Sequence, residues 1–175
     1  MEDRFTVGLL VENRVGVLNR IAGLYNKRGF NIESLTVGET ENKAYSRMTI
    51  VSSGNEDTRK QVIRQLNKFY DVKSAILINA SDTVEHVIIT LKAPNGKRPQ
   101  VMALFEEYGA QILTSGEENL VAEMNGIYAK TEEFIEKCRP FGITEITRSG
   151  AMAFTEGENS ELSLYNNDTG DEVAV

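Results

Sequence analysis

The chain has 175 residues, 41% of them hydrophobic, a formal net charge of -7, one cysteine and one histidine. That length allows one ordinary domain or two small ones, while Cys138 alone makes no internal disulfide and His86 alone cannot anchor a Cys/His metal cluster. The charge is uneven, +3 over residues 1–79, -4 over 80–150 and -6 over 151–175, and such an acidic chain is a poor general binder of nucleic acid, because phosphate neutralisation needs clustered Lys and Arg.

The start, "MEDRFTVGLLVENR", is acidic where a signal peptide is basic, and no run of 18 apolar residues occurs, so the chain is expected to be cytoplasmic with no membrane contact. In "RFTVGLLV" Phe5, Val7, Leu9 and Val11 alternate, which predicts a strand. Val17, Leu18, Ile21, Leu24 and Tyr25 then fall on one face of a helix that stops near Gly29. "FNIESLTVGETE" and "AYSRMTIVSS" predict a hairpin turning at 41–43, and the phase change from Phe30 and Ile32 to Leu35 and Val37 predicts a bulge or kink near Ser34. The third strand keeps Met48 and Ile50 on the core side. Val62, Ile63, Leu66, Phe69 and Tyr70 predict a second helix, and "DVKSAILINA" a closing strand.

The same order recurs with other residues. "TVEHVIITLKA" reads as a strand, Val101, Leu104, Phe105 and Tyr108 as a helix face, "AQILTS" and "NLVAEMNG" as strands, Phe134, Ile135 and Cys138 as a helix face and "GITEITRSG" as a strand. The fold class is therefore α+β, two ferredoxin-like βαββαβ domains in tandem, each with two helices on one face of an antiparallel sheet. The boundary is expected near 80–82, and the opposite sheet faces need cover or must be polar. The segment 156–175 is acidic, without Lys or Arg, and is expected to be a mobile tail.

Chemistry concentrates in the turn before the first helix, Asn13 to Leu18. Two readings stand. Asn13 caps the helix and Gly16 eases the turn, or Gly16 leaves the N–H groups of about residues 16–18 bare for a small anion, aided by the helix dipole. No GxGxxG or GxxxxGK[ST] pattern accompanies it. Asn31 and Ile32 begin the next strand; an Asn amide can accept from an ammonium and donate to a carboxylate, and Ile32 supplies an apolar neighbour, against the plainer reading of a turn residue and a core residue. His86 reads as a surface strand residue, Cys138 as packing, and the adjacent pairs Glu117–Glu118 and Glu132–Glu133 as solvated charge. "RGFNIES" opens like an RNA-recognition motif, but the third strand "AYSRMTIV" offers only Tyr45 for stacking, and that reading fails.

Residues 4–79, through "GVLNRIAGLYNKRGFNIESLTV" and "SRMTI", resemble the N-terminal ACT domain of the small subunit of acetolactate synthase (acetohydroxyacid synthase), and "RPFGITEITRSG" (139–150) resembles that family's second half. The resemblance implies a non-catalytic regulatory subunit that activates a large catalytic subunit using thiamine diphosphate, Mg and FAD, with no cofactor or metal of its own. It implies a homodimer through the ACT domain (1–79), beside a second domain (80–155). It also implies feedback inhibition by valine or another branched-chain amino acid, with Asn13, Gly16, Val17 and Leu18 of one chain facing Asn31 and Ile32 of the other. Two rivals remain: a stand-alone amino-acid sensor acting on a different target, and a small phosphatase holding phosphate with Arg14 or Arg28.

Overall fold

The structure, a computed structural model, describes residues 3–93, 96–155 and 162. The described residues divide into a first unit, 3–82 with 153–155 and 162, and a second, 83–93 with 96–152.

In the first unit β1 (Asp3–Glu12) leads through α1 (Val17–Arg28) to the hairpin β2 (Ser34–Glu39) and β3 (Tyr45–Gly54), then through α2 (Glu56–Leu66) to β4 (Val72–Ile78). All pairings are antiparallel, in the order β2-β3-β1-β4. β1 lies at the centre because both its faces are apolar or small. Phe5, Val7, Leu9 and Val11 meet Val17, Ile21 and Tyr25 of α1 and Val62 and Leu66 of α2, with Met48 and Ile50 beside them. The other face carries Thr6, Leu10, Thr49 and Val51, all buried. Gly8 lies on that face opposite Ile76, and Leu162 is packed down onto it: a Cβ at Gly8 would stand 2.6 Å from Leu162 Cδ1. Arg47 Nη2 donates to the Leu162 carbonyl at 2.9 Å, and the Ala153 N–H donates to Thr49 Oγ1 at 2.9 Å. Apart from Leu162, the tail expected to be mobile lies outside the described residues.

Two elements differ from expectation. β2 begins at Ser34, so Asn31 and Ile32 precede the strand and the phase change marks its start, where a bulge was expected. The cause is the end of α1: Gly29, left-handed at φ 70°, turns the chain back, the Phe30 N–H bonds the Tyr25 carbonyl at 2.9 Å, and the two rings meet edge to face. A register shift occurs instead between β1 and β4, at Leu10/Val11. Likewise α2 stops at Leu66; Phe69 still packs on the core but Tyr70 is 79% exposed. Asn67 leaves the helix to hold β4, its Nδ2 donating to the Ala75 carbonyl and its Oδ1 accepting from the Ala75 N–H, both at 2.9 Å.

The second unit repeats the plan with β5 (Thr83–Lys92), α3 (Arg98–Tyr108), β6 (Gln111–Ser115), β7 (Asn119–Gly126), α4 (Tyr128–Cys138) and β8 (Ile143–Arg148), in the order β6-β7-β5-β8. A two-residue strand β9 (Met152–Ala153) follows. Phe134 sits against the rings of Phe105 and Tyr108, with centroids 6.0 and 5.5 Å away, and Cys138 is buried beside them. Glu85, on the core side of β5, is buried and satisfied: Thr131 Oγ1 donates to it and Arg148 pairs with both it and Glu132. Burial works against the Arg148 charge, but the hydrogen bonds it donates to Glu85 and Glu132 outweigh this and raise its pKa. Glu132 is thus an ion-pair partner where solvated charge was expected. His86 is half-buried on its strand, its Nε2 2.9 Å from Glu123.

Candidate functional site

β1 ends at Glu12 and α1 starts at Val17, so residues 13–16 make the whole turn. Asn13 does not cap the helix. Its N–H donates to the Ala44 carbonyl at 2.7 Å, and its Nδ2 donates to Glu39 Oε1 at 3.1 Å and to the Lys43 carbonyl at 2.9 Å, mooring the turn to the β2–β3 hairpin. The N-cap position belongs to Gly16, which has φ 90° and no side chain to offer, and among the described residues α1 shows no side-chain cap hydrogen bond. Only glycine adopts such a backbone readily, and nothing lies within 4 Å of where a Cβ would stand. The Val17 N–H reaches the Arg14 carbonyl only at 3.4 Å, beyond the usual hydrogen-bond range. The capping role read for Asn13 is thus absent, and α1 starts at Gly16 without a side-chain cap.

The side chains divide the work. Val17 is buried in the core and contributes only backbone, whereas Leu18 is 40% exposed and Val15 fully exposed at the tip of the turn. Arg14 and Arg20 both pair with the carboxylate of Asp71, which is 2% exposed. The Asp71 hydrogen bond holds the Arg14 guanidinium above its ordinary pKa, against the opposing effect of burial. Arg14 also reaches Glu12 Oε2 at 3.1 Å and lies 5.7 Å from the centre of the Tyr70 ring. An arginine so engaged is not poised to hold phosphate, and Arg28 sits in the last turn of α1, at the far end from Gly16.

Asn31 and Ile32 are not beside this turn within one chain. α1 separates them from it, and twelve helical residues span roughly 18 Å. Asn31 is exposed, with its carbonyl accepting from Ser52 Oγ, and Ile32 packs partly on the core. Sequence reasoning missed Asp71, Arg20 and Tyr70. Asp71 lies 57 positions from Arg14, so nothing local announces the pair, although a lone carboxylate between an aromatic residue and a strand is a weak signal.

Nothing resembling a catalytic centre forms elsewhere among the described residues. No group of three His, Cys, Asp or Glu there could hold a metal. Burial pushes the Cys138 thiol up to about 12, which keeps it protonated and inert at neutral pH. An open groove lined by Ile63, Arg64, Asn67 and Leu77 runs between α2 and β4, and none of the predicted site residues lines it.

Comparison with known proteins assigns both halves. Residues 7–74 match the family described as the AHAS small subunit-like ACT domain, and residues 84–157 match the family described as the small subunit of acetolactate synthase. A relative from Archaeoglobus fulgidus, described as a probable acetolactate synthase small subunit, is 41% identical over 155 residues, covering 88% of this chain and 98% of its own. The acetolactate synthase small subunit of Mycobacterium leprae is 39% identical, covering 87% of this chain and 91% of its own. The crystal structure of the acetolactate synthase small subunit from Thermotoga maritima superposes with a TM-score of 0.78 at 29% identity, over 87% of this chain and 96% of that one.

Proposed function

The chain belongs to the family of acetolactate synthase small subunits, and on that premise we propose that its Asn13–Leu18 turn binds the carboxylate of a branched-chain amino acid that controls the enzyme. The chain is the regulatory, non-catalytic subunit, and acetolactate formation belongs to its large partner. That partner is taken to carry thiamine diphosphate, Mg and FAD, with no cofactor on this chain, and the pair to work in the cytoplasm. Among the described residues no helix is long and apolar enough to cross a membrane.

The observation that carries the effector reading is the uncapped start of α1 at Gly16. A zwitterionic amino acid needs donors for its carboxylate, an acceptor for its ammonium and an apolar wall. The backbone after Gly16 supplies the first and the exposed Leu18 part of the third. Asn31 and Ile32 would complete the site, and the length of α1 means they must come from a second copy, so the site implies a homodimer through residues 1–79. Residues 80–155 then carry the second domain, and 156–175 an acidic tail of the chain. Valine regulates only if it prefers one arrangement of the assembly, by about 1–3 kcal/mol in typical cases.

The test mixes the full chain with an acetolactate synthase large subunit and measures acetolactate with and without valine, leucine and isoleucine. Stimulation by the chain, reduced by one of the three, is the expected result. Absence of any stimulation sinks the activating role, and binding without effect on product points to an amino-acid sensor with another target.

A further inference from the structure

Five charged side chains from four segments form an alternating chain around the glycine turn. Lys73 Nζ lies 3.3 Å from Glu12 Oε1, Glu12 Oε2 lies 3.1 Å from Arg14 Nε, Arg14 Nη2 pairs with Asp71 Oδ1, and Arg20 Nη2 lies 2.8 Å from Asp71 Oδ2. The backbone joins in, since the Glu12 N–H donates to the Asp71 carbonyl at 2.9 Å. Arg14 precedes Gly16 and Arg20 follows it by about one helical turn. One buried carboxylate at the start of β4 therefore takes an arginine from each side of the turn, one on each oxygen. Both arginines are tied to Asp71, whose single charge offsets only one of theirs.

We propose that Asp71 is the positioning residue of the effector turn: by bracketing Arg14 and Arg20 it holds the amides after Gly16 in the geometry that receives a carboxylate. This rests on the reading of the turn as an amino-acid site. Positioning and simple charge balance predict opposite effects of Asp71→Asn. If Asp71 only offset positive charge, the variant would unmask one net positive charge beside the ligand carboxylate, releasing Arg20 while Arg14 keeps Glu12, and tighten binding. If Asp71 positions the turn, binding weakens although positive charge has been gained.

The experiment uses the full chain and two readouts, valine binding by calorimetry and amide hydrogen exchange. In Asp71→Asn the valine dissociation constant should rise at least tenfold. Exchange at the Arg20 amide, which bonds the Gly16 carbonyl at 3.0 Å, should quicken at least tenfold while amides of β3 keep their rates. Unchanged exchange at Arg20 overturns the bracket, with or without a ligand. Faster exchange with equal or tighter valine binding overturns the positioning role. Should wild-type chain bind none of valine, leucine and isoleucine, the effector reading fails and the proposal falls with it. Arg20→Gln, at a half-exposed side chain, removes one arm only; about a threefold loss of binding with the same local exchange supports the proposal if Asp71→Asn does not fold, and no change overturns it.

Discussion

Gly16 joins a backbone requirement to a chemical one, and two substitutions separate them. Both Gly16→Asn and Gly16→Asp strain a φ of 90°, at about 1–2 kcal/mol, with Asn and Asp among the better-tolerated residues there. Only the aspartate adds a like charge where the proposed site would receive the ligand carboxylate. Valine inhibition of the mixed enzyme is expected to weaken modestly in Gly16→Asn and to vanish in Gly16→Asp. Equal inhibition of the two variants would show that charge at the turn is irrelevant and the carboxylate assignment wrong. This residue was legible because glycine just before an apolar helical stripe has few uses. Asn13 was half legible: its place was right, but its amide ties down a hairpin thirty residues on, and no local pattern distinguishes that from a cap.

Tyr25 has a different residue-scale problem. Its hydroxyl is buried without a hydrogen-bond partner, and burial pushes its pKa well above the ordinary tyrosine value. An unmade hydrogen bond on a buried group costs about 1–3 kcal/mol. Tyr25→Phe should therefore raise stability by about 1 kcal/mol in urea unfolding at neutral pH. The folded state favours the neutral phenol, so wild type should also lose stability as pH rises beyond about 10, where the unfolded phenol ionises. The variant should lose less over that range, and a variant less stable than wild type at neutral pH contradicts the unsatisfied hydroxyl.

Among the elements, β1 shows how a strand's second face is decided far along the chain. The alternation of Phe5, Val7, Leu9 and Val11 announces one face, but Gly8 and Leu10 on the other are explained only by what lies over them. Leu162 fills the space that a side chain at Gly8 would need. Gly8→Ala should then cost about 1–3 kcal/mol through overpacking. In a background of Leu162→Ala the cost should shrink, giving a double-mutant coupling of about 1 kcal/mol measured by denaturant unfolding. Additive losses would mean the two residues do not meet. The helices were readable at this scale because their periodicity is local. The start of β2 was not, since Ser34 becomes a strand residue only through pairing with Val51, while Gly29 sends Phe30 back to its helix.

On the scale of the whole molecule, the doubled βαββαβ order was visible in hydrophobic pattern alone, and the solved small subunit from Thermotoga maritima carries the same arrangement. Charge pairing was not visible at all. Asp71 with its arginines, and Glu85 with Arg148 and Glu132, each join residues from segments that only the fold brings together.

One modest contact has a larger consequence for assembly. A sheet with two free borders can in principle add neighbours at both and grow without limit. In the first unit Asn67 already occupies the β4 border, using the amide and carbonyl of Ala75 that an incoming strand would need. A strand added beside β4 would first have to displace the Asn67 amide from Ala75.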